Sequence, residues 1–255
     1  MIKNYLNFKK FKNKVNFGFF TSKGGVSNGD YYSLNCSKAN NDKKKNVSKN
    51  IKIALKQLGI NNKKLKLINQ IHSNKIYFIN KKNFKNELYG DGLITKDKDI
   101  ALGVLTADCA PIFIFDNNKQ IICCLHSGWK GTLSNIIEVG VNKLKNNKID
   151  TKNIFAVVGP CLSFNNFEVD KTFKLRFIKK NISYKKFFKS KNNKKDLFNM
   201  RGLLNFQLRN AGVENIANIK KDTFKNYNDF FSHRRTTRKD KQMTGRMINI
   251  ISMLD

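Results

Sequence analysis

The sequence predicts a protein of the α/β class. Two observations predict it: short apolar runs of strand character recur along the chain, and amphipathic helical segments alternate with them. A third observation concerns domain organisation, since neither an internal repeat nor a Pro/Gly/Ser-rich linker divides the 255 residues. A chain of this length buries a substantial core. We therefore expect residues 1–255 to form a single unit.

The strand predictions rest on apolar runs bounded by polar or turn-forming residues. They cover the beginning of 15–35, then 64–73, two strands within 100–116, and the runs 120–127 and 153–162. After its strand, the first of these segments continues into a glycine-rich turn and a loop. Pro111 has no backbone N–H to donate, so we expect it at a strand start or loop edge rather than inside a central strand.

The helix predictions rest on apolar residues spaced three and four apart. The three predicted helices span 47–59, 132–147 and 196–212. Gly59 is expected to end the first helix and Gly212 the last. Asp196 is a candidate N-cap for the last helix. Residues 163–195 and 217–232 are rich in Lys, Asn and Phe and yield no prediction.

The net charge of +32 suggests a nucleic acid or another anionic surface as a partner. However, lysine is spread over the whole chain together with Asn, Ile and Phe, as an A/T-biased coding sequence produces, and aromatic recognition motifs of the RNP1 type are absent. We interpret most of the lysines as a solvated coat and expect no specific nucleic-acid partner.

Membrane insertion and export are also not expected. No apolar run approaches the ~18 residues that a membrane helix needs. The basic N-terminal stretch has neither an uninterrupted apolar region nor a small-residue cleavage site. We therefore expect a cytoplasmic protein.

Arginine is scarce in this composition, yet four of the seven arginines lie within 233–246. The planar guanidinium binds phosphate or carboxylate with two parallel hydrogen bonds, which lysine cannot do. This segment is therefore a candidate anion-binding site, and a basic surface loop is the alternative.

The five cysteines favour core thiols, with at most one functional thiol, over a disulfide framework. Their number is odd, they lack CxxC spacing, and most lie in apolar runs. Cys123 and Cys124 are neighbours in a predicted strand, so their side chains should point to opposite faces. We expect both to be structural.

Three apolar runs end at a residue that can bind a metal: His72, Cys109 and His126. Two histidines and a cysteine are good zinc ligands, and a three-ligand site leaves a fourth position open. Two other interpretations stay open on spacing alone. The histidines fit hydrogen-bonded core residues beside a packing cysteine, and Cys109 with a nearby histidine fits a nucleophile and its base.

The segment SGWKGT, residues 127–132, precedes a predicted helix. Its glycines allow close backbone approach, its N–H groups suit an anion, and Lys130 adds positive charge. It lacks the spacing of a Walker loop.

Seven segments together resemble a known family: FFTSKGGVSNGDYYSLN, NQIHSNKI, DGLIT, TADCAPIFIFD, CCLHSGWKGTLSNII, VVGPCLSFNNFEV and FFSHRRTTRKDKQMTGRMINII. In order and character they are similar to the bacterial polyphenol oxidase/laccase-domain proteins, regarded as multifunctional purine nucleoside enzymes. The resemblance covers nearly the full chain.

The resemblance implies one α/β domain of mixed sheets with outer helices, similar to cysteine-hydrolase folds. It implies zinc held by His72, Cys109 and His126, although such a ligand set also accepts copper. The implied partners are purine nucleosides and phosphate. The implied reactions are phosphorolysis of adenosine, inosine and methylthioadenosine, and deamination of adenosine.

Candidate roles follow from these reactions. Arg235, Arg246 and Lys130 are candidates for holding phosphate. Asp108, next to Cys109, is a candidate proton carrier or an orienter of that ligand, and capping of its own turn is the alternative. Asn35 is a candidate substrate contact.

This chain departs from the family pattern at three positions. Ser73 stands where glycine is usual, Lys130 where arginine is usual, and His233 where tyrosine is more common. Other functions remain open: a cysteine amidohydrolase using Cys109 and His126, a polyphenol oxidase despite the absence of HxH copper motifs, and a basic RNA-binding protein. The sequence leaves the oligomeric state undetermined.

Overall fold

The computed structural model describes residues 5–7, 15–116, 118, 121–239 and 243–254. The strands are β1 Tyr5–Leu6, β2 Val15–Phe20, β3 Lys64–Leu67, β4 Ile76–Ile79, β5 Gly92–Thr95, β6 Ile100–Thr106, β7 Ala110–Asp116, β8 Ile122–Ser127, β9 Ile154–Val158, β10 Glu168–Asp170, β11 Phe188–Ser190, β12 Lys195–Phe198, β13 Asn215–Asn218 and β14 Met247–Met253. The helices are α1 Lys44–Leu58, α2 Trp129–Leu133, α3 Ile136–Asn146, α4 Lys171–Lys180, α5 Met200–Asn210 and α6 His233–Thr237.

The two large sheets are both mixed, as the family resemblance implied. One has five strands in the order β1-β2-β14-β6-β3, and the other has six in the order β13-β9-β7-β8-β5-β4. In the first, only β3 and β6 run parallel, and in the second the parallel pairs are β13–β9 and β4–β5. The α/β class and the mixed sheets are therefore confirmed.

The sheets pack face to face, with one helical layer on each outer side. Phe17 and Leu102 of one sheet share a buried cluster with Phe113 of the other. The outer face of the six-stranded sheet is covered by α3 and α5, and α1 covers the outer face of the five-stranded sheet. A strand in the middle of this stack is buried on both faces, which explains why its sequence is a nearly continuous apolar run.

Strand β7 shows how this alternation works. Ile112 and Ile114 face the helices, whereas Phe113 and Phe115 face the other sheet, and all four side chains are fully buried. Pro111 is the second residue of this central strand, where the expected position at a strand start is confirmed. Its carbonyl accepts a hydrogen bond from the Gly159 N–H.

Two of the predicted helices differ from the structure. The predicted helix 132–147 is broken into α2 and α3 at Asn135, which has a left-handed backbone with φ 55°. Asp196 is not an N-cap, because it lies in β12 and its carboxylate bonds Lys171. The N-cap of α5 is Asn199, whose side chain accepts from the Gly202 N–H. Gly212, with φ 91°, follows the helix end as expected.

The first predicted helix ends as its sequence indicates. Gly59 adopts a left-handed conformation with φ 69°, and its N–H bonds the carbonyls of the last turn. The segment 163–195, which gave no prediction, contains α4, β10 and β11, and these two strands pair with β12 in a small antiparallel sheet of the order β10-β12-β11. Within the part of the chain that the structure describes, no helix has the length and hydropathy to cross a membrane.

Candidate metal centre and pocket

The fold brings His72, Cys109 and His126 together at one edge of the two sheets. One potential ligand atom from each lies within 4.8 Å of the other two. The Cys109 Sγ atom is 3.9 Å from His72 Nε2, and the two imidazole centroids are 5.0 Å apart. Two imidazoles and a thiolate at these separations fit one soft-to-borderline metal ion. The three residues predicted from strand ends therefore do meet.

Strand register explains how residues so far apart in sequence meet. Pairing of β7 with β8 places Pro111 opposite His126, so Cys109, just before β7, lies beside the end of β8. His72 arrives on the loop that follows β3 and has a left-handed backbone with φ 58°. Asp108, just before the cysteine, also has positive φ, 86°. Such strained backbone persists only where neighbouring contacts hold it in place.

Asp91 connects the two histidines and was not singled out from the sequence. It immediately precedes β5. Because Gly92 of β5 pairs with Leu125 of β8, the residue before Gly92 lies opposite His126. The backbone N–H of His126 donates to the Asp91 carbonyl at 2.8 Å. The Asp91 carboxylate is fully buried, lies 2.7 Å from His126 Nδ1, and accepts the His72 N–H at 3.0 Å. Ser73 donates both its N–H and its hydroxyl to the other carboxylate oxygen.

The electrostatics of the cluster favour a thiolate beside a protonated imidazole. Burial opposes ionisation of Cys109, but the charges and hydrogen bonds of His126 and His72 outweigh it and lower the pKa of Cys109 to about 6. Burial also opposes the charge on His126, yet Cys109 and Asp91 raise the pKa of His126 to about 9. A thiolate is the form of cysteine that binds a metal.

Gly128 provides the close backbone approach that the SGWKGT segment suggested. A Cβ atom on this residue would lie 2.8 Å from His72 Cδ2 and 2.9 Å from Cys109 Sγ. The ligands therefore occupy the space that a side chain at this position would fill. Lys130 is exposed, and its ammonium lies 5.6 Å from the centre of the Trp129 ring.

The cluster forms one wall of a cavity of about 850 Å³. Leu65, Leu67 and Leu105 provide apolar lining, and Arg246 and His233 provide polar lining. This combination of an apolar wall with a few polar groups is typical of small-molecule pockets.

The two arginines proposed for phosphate binding have different surroundings. The Arg235 guanidinium donates to the backbone carbonyls of Thr223, Phe224 and Phe230, so it holds its own loop together. Arg246 instead lines the cavity, with Nη1 donating to the carbonyls of the two preceding residues.

Asn35 is a fully buried residue behind the cavity wall. Its side chain accepts the Arg246 N–H at 3.0 Å and donates to Asp42 at 2.8 Å. The next residue, Cys36, reaches back to bond the Arg246 carbonyl through its own N–H. Asn35 therefore positions the backbone of Arg246.

The Asp108 carboxylate binds the segment that carries His233. It accepts from the Thr223 hydroxyl at 2.6 Å, the Ser232 hydroxyl at 3.0 Å and the Arg234 N–H at 2.6 Å. Burial and nearby Arg246 lower the pKa of His233, which favours a neutral imidazole at the cavity.

Comparison with known proteins identifies the family of this chain. Residues 16–254 match the family model described as "Multi-copper polyphenol oxidoreductase laccase". The chain therefore belongs to this family, as the seven sequence segments indicated.

Relatives within the family carry a different functional name. The purine nucleoside phosphorylase RC0672 of Rickettsia conorii is 31% identical over 227 residues, covering 83% of this chain and 92% of that protein. The purine nucleoside phosphorylase Cj1217c of Campylobacter jejuni is 36% identical over 190 residues, covering 74% and 76%.

Crystal structures with the same fold include Neisseria meningitidis protein NMB0706 and the Bacillus licheniformis hypothetical protein YfiH. The first matches with a TM-score of 0.88 at 26% identity over 99% of this chain and all of that one. The second matches with a TM-score of 0.90 at 25% identity over 99% and 97%. The layered α/β architecture is thus shared with these proteins, and the similarity to cysteine hydrolases stays a prediction.

Proposed function

We propose that this chain, acting as one unit over residues 1–255, is a zinc-dependent purine nucleoside phosphorylase that also deaminates adenosine. The observation that carries the proposal is the His72, Cys109 and His126 cluster in the wall of a cavity of about 850 Å³, which is large enough for a nucleoside. The names of the relatives support the phosphorylase activity. Zinc is favoured because two neutral imidazoles and one thiolate are a preferred donor set for this ion.

The donor chemistry of the cluster fits a resident metal. The pKa of Cys109 is already lowered towards the thiolate, and Asp91 accepts a hydrogen bond at His126 Nδ1, which leaves Nε2 for an ion. When bound, such an ion polarises a substrate oxygen and activates water for attack on the purine.

The chain's own residues would bind and orient the substrates. The apolar wall formed by Leu65, Leu67 and Leu105 suits the faces of a purine. Arg246 is the proposed phosphate contact, because it lines the same cavity and a guanidinium offers a planar set of donors. Arg235 and Lys130, the other two candidates, lie against backbone carbonyls and over an indole ring.

For Asn35 and Asp108 the contacts support positioning roles. Asn35 fixes the backbone of Arg246, while Asp108 anchors the segment that presents His233 to the cavity. His233 would then contact the purine or the sugar as a neutral hydrogen-bonding group.

The test is turnover of adenosine with and without phosphate, followed by product analysis. Adenine and ribose 1-phosphate formed only with phosphate indicate phosphorolysis, and inosine indicates deamination. Metal analysis should find about one zinc ion per chain, because one His₂Cys cluster holds one ion. Cys109→Ala should abolish both reactions and the zinc. The matched control is Cys123→Ala, because Cys123 is a buried cysteine on β8 that faces the helices. This variant should retain both reactions and the zinc.

A zinc-loaded protein that turns over no nucleoside would contradict the proposal. Amide hydrolysis that survives metal removal and is lost in Cys109→Ala would favour the amidohydrolase alternative. Oxygen-dependent oxidation of phenols by a copper-loaded protein would favour the oxidase that the family description names. Cytoplasmic location remains part of the proposal, to be checked by fractionation of cells.

A further inference from the structure

We propose that Asp91 is a positioning residue of the metal centre, a single buried carboxylate that holds both histidine ligands in place. The inference rests on the proposed metal site and adds a residue that is not itself a ligand. Its starting observation is that the carboxylate contacts the side chain of one ligand and the backbone of the other.

The surroundings of this carboxylate consist of hydrogen-bond donors. Three successive backbone N–H groups point at it, those of Ile71, His72 and Ser73, at 3.3, 3.0 and 2.5 Å. Successive N–H groups converging in this way form an anion-binding concavity, or nest. The Ser73 hydroxyl adds a further donor at 2.8 Å. The nest therefore requires a negatively charged group at this position.

The same carboxylate determines which nitrogen of His126 faces the ligand cluster. An ionised carboxylate only accepts hydrogen bonds, so Nδ1 of His126, 2.7 Å away, must be the donor. In the neutral imidazole that binds a metal, the proton is thereby fixed on Nδ1, and Nε2 is left as the metal-binding atom. Burial of both groups, at 0% and 3% exposure, keeps water from competing for this bond.

The nest also explains the unusual backbone of His72. The left-handed conformation of this residue, with φ 58°, is uncommon for residues other than glycine. Three bonds from residues 71–73 to one fixed anion hold the loop in this conformation and bring the imidazole towards Cys109. Loss of the anion would free the loop that carries His72 and would no longer fix the proton of His126 on Nδ1.

Asparagine at this position cannot replace the carboxylate, although it has nearly the same shape. Both carboxylate oxygens accept backbone N–H groups, so an amide must direct its own hydrogens at a donor in either orientation. When the amide nitrogen faces His126, it donates to Nδ1. The imidazole then carries its proton on Nε2, and a protonated Nε2 cannot bind a metal. Asp91→Asn therefore tests the charge and the acceptor pattern with little change in volume.

The experiment measures the dissociation constant for Zn²⁺ by competition with a chelator, together with the visible absorption of the Co²⁺-loaded protein. We expect Asp91→Asn to weaken zinc binding by about 10- to 100-fold and to reduce the tetrahedral Co²⁺ bands. The matched control is Asp116→Asn, another buried carboxylate, at the opposite end of β7 and roughly 20 Å away. It should leave zinc affinity within about two-fold of the unmodified protein, because it has no part in the nest.

A second variant guards against failure of the first to fold, which thermal unfolding of the metal-free proteins would reveal. Ser73→Ala removes the hydroxyl that donates to Asp91 and accepts the exposed Lys75 N–H, which water can bond instead. It should weaken zinc binding about three-fold, in line with one lost hydrogen bond to the carboxylate. Zinc affinity unchanged in Ser73→Ala and in folded Asp91→Asn would overturn the role of Asp91, while the metal site would stand. Absence of zinc binding by the unmodified protein would overturn the metal site as well.

Discussion

At the residue scale, neighbours decide the chemical state of each side chain in the cluster. The chain has five cysteines, and burial alone raises the pKa of the Cys36 and Cys123 thiols above their ordinary range. Cys109 differs because His126 and His72 stand beside it and lower its pKa to about 6. Only this cysteine combines partial exposure with a stabilised thiolate.

This contrast predicts the pH dependence of thiol alkylation in the metal-free protein. Iodoacetamide reacts with the thiolate, so a pKa of about 6 means that Cys109 is mostly reactive at pH 7. Between pH 7 and pH 5 its rate should fall about ten-fold, as the thiolate is protonated. Peptide mass spectrometry after timed labelling measures the rate at each cysteine.

His126→Ala provides the control for the cause of this shift. Without the imidazole the midpoint of the alkylation profile should move up towards that of an ordinary thiol, above pH 8. An unchanged midpoint in this variant would show that His126 does not stabilise the thiolate. Cys123 and Cys124, which are fully buried, should stay unlabelled throughout.

Two arginines from one short segment show the same dependence on surroundings. Arg235 and Arg246 are both half-buried and equally suited to phosphate by chemistry. The guanidinium of the first donates to three backbone carbonyls of its own loop and does not line the cavity, whereas the second lines the cavity and donates to the two carbonyls that precede it. The sequence identified the basic segment, but the different surroundings of the two arginines depend on how their loops fold.

At the element scale, the ends of the helices depend on single capping residues. The helix pattern of 196–212 is real, but its beginning was predicted four residues too early. Asp196 is a good N-cap by residue type. In the fold it lies on β12, and its carboxylate pairs with Lys171 and Lys174 of α4. Asn199 caps the helix instead, accepting the Gly202 N–H at 2.9 Å.

This assignment predicts that Asn199→Ala lowers the free energy of unfolding by about 1 kcal/mol, the usual cost of a lost N-cap. Asn199→Asp keeps the acceptor and should stay within a few tenths of a kcal/mol of the unmodified protein. Urea unfolding of the metal-free protein measures both. If Asn199→Asp lowered the free energy of unfolding as much as Asn199→Ala does, the capping hydrogen bond would not be the cause.

The break between α2 and α3 shows why periodicity alone missed an element boundary. The apolar residues of 132–147 keep a helical spacing across it, because only the turn at Ser134 and Asn135 intervenes. The Gln207 side chain of α5 bonds both the Thr132 carbonyl and the Asn135 side chain at 2.8 Å. A contact 72 residues away in sequence thus accompanies the break.

At the scale of the whole molecule, two mixed sheets share one buried apolar interior. Phe19 and Phe113 stack across it with ring centroids 4.4 Å apart, and both are fully buried. The cluster and cavity lie at one edge of this stack, where the ends of β7 and β8 meet the loop after β3. Rigid sheets therefore position the site, and the loops provide access to it.

This packing predicts the cost of opening a cavity between the sheets. Phe113→Ala should lower the free energy of unfolding by about 3–5 kcal/mol, through lost burial and the void left behind. Phe113→Leu fills most of the space and should cost about 1 kcal/mol. Guanidinium unfolding checks the difference, and equal losses in the two variants would contradict a tightly packed interface.

Local patterns in the sequence determined the α/β class, most strands and the identity of the three candidate metal ligands. These features depend on side-chain periodicity and on donor chemistry, which single residues and short segments carry. The meeting of the candidate ligands, the Asp91 nest and the different surroundings of Arg235 and Arg246 were decided by tertiary structure. The physical reason is that strand register and loop closure bring together groups that lie tens of residues apart, and no local pattern encodes those contacts.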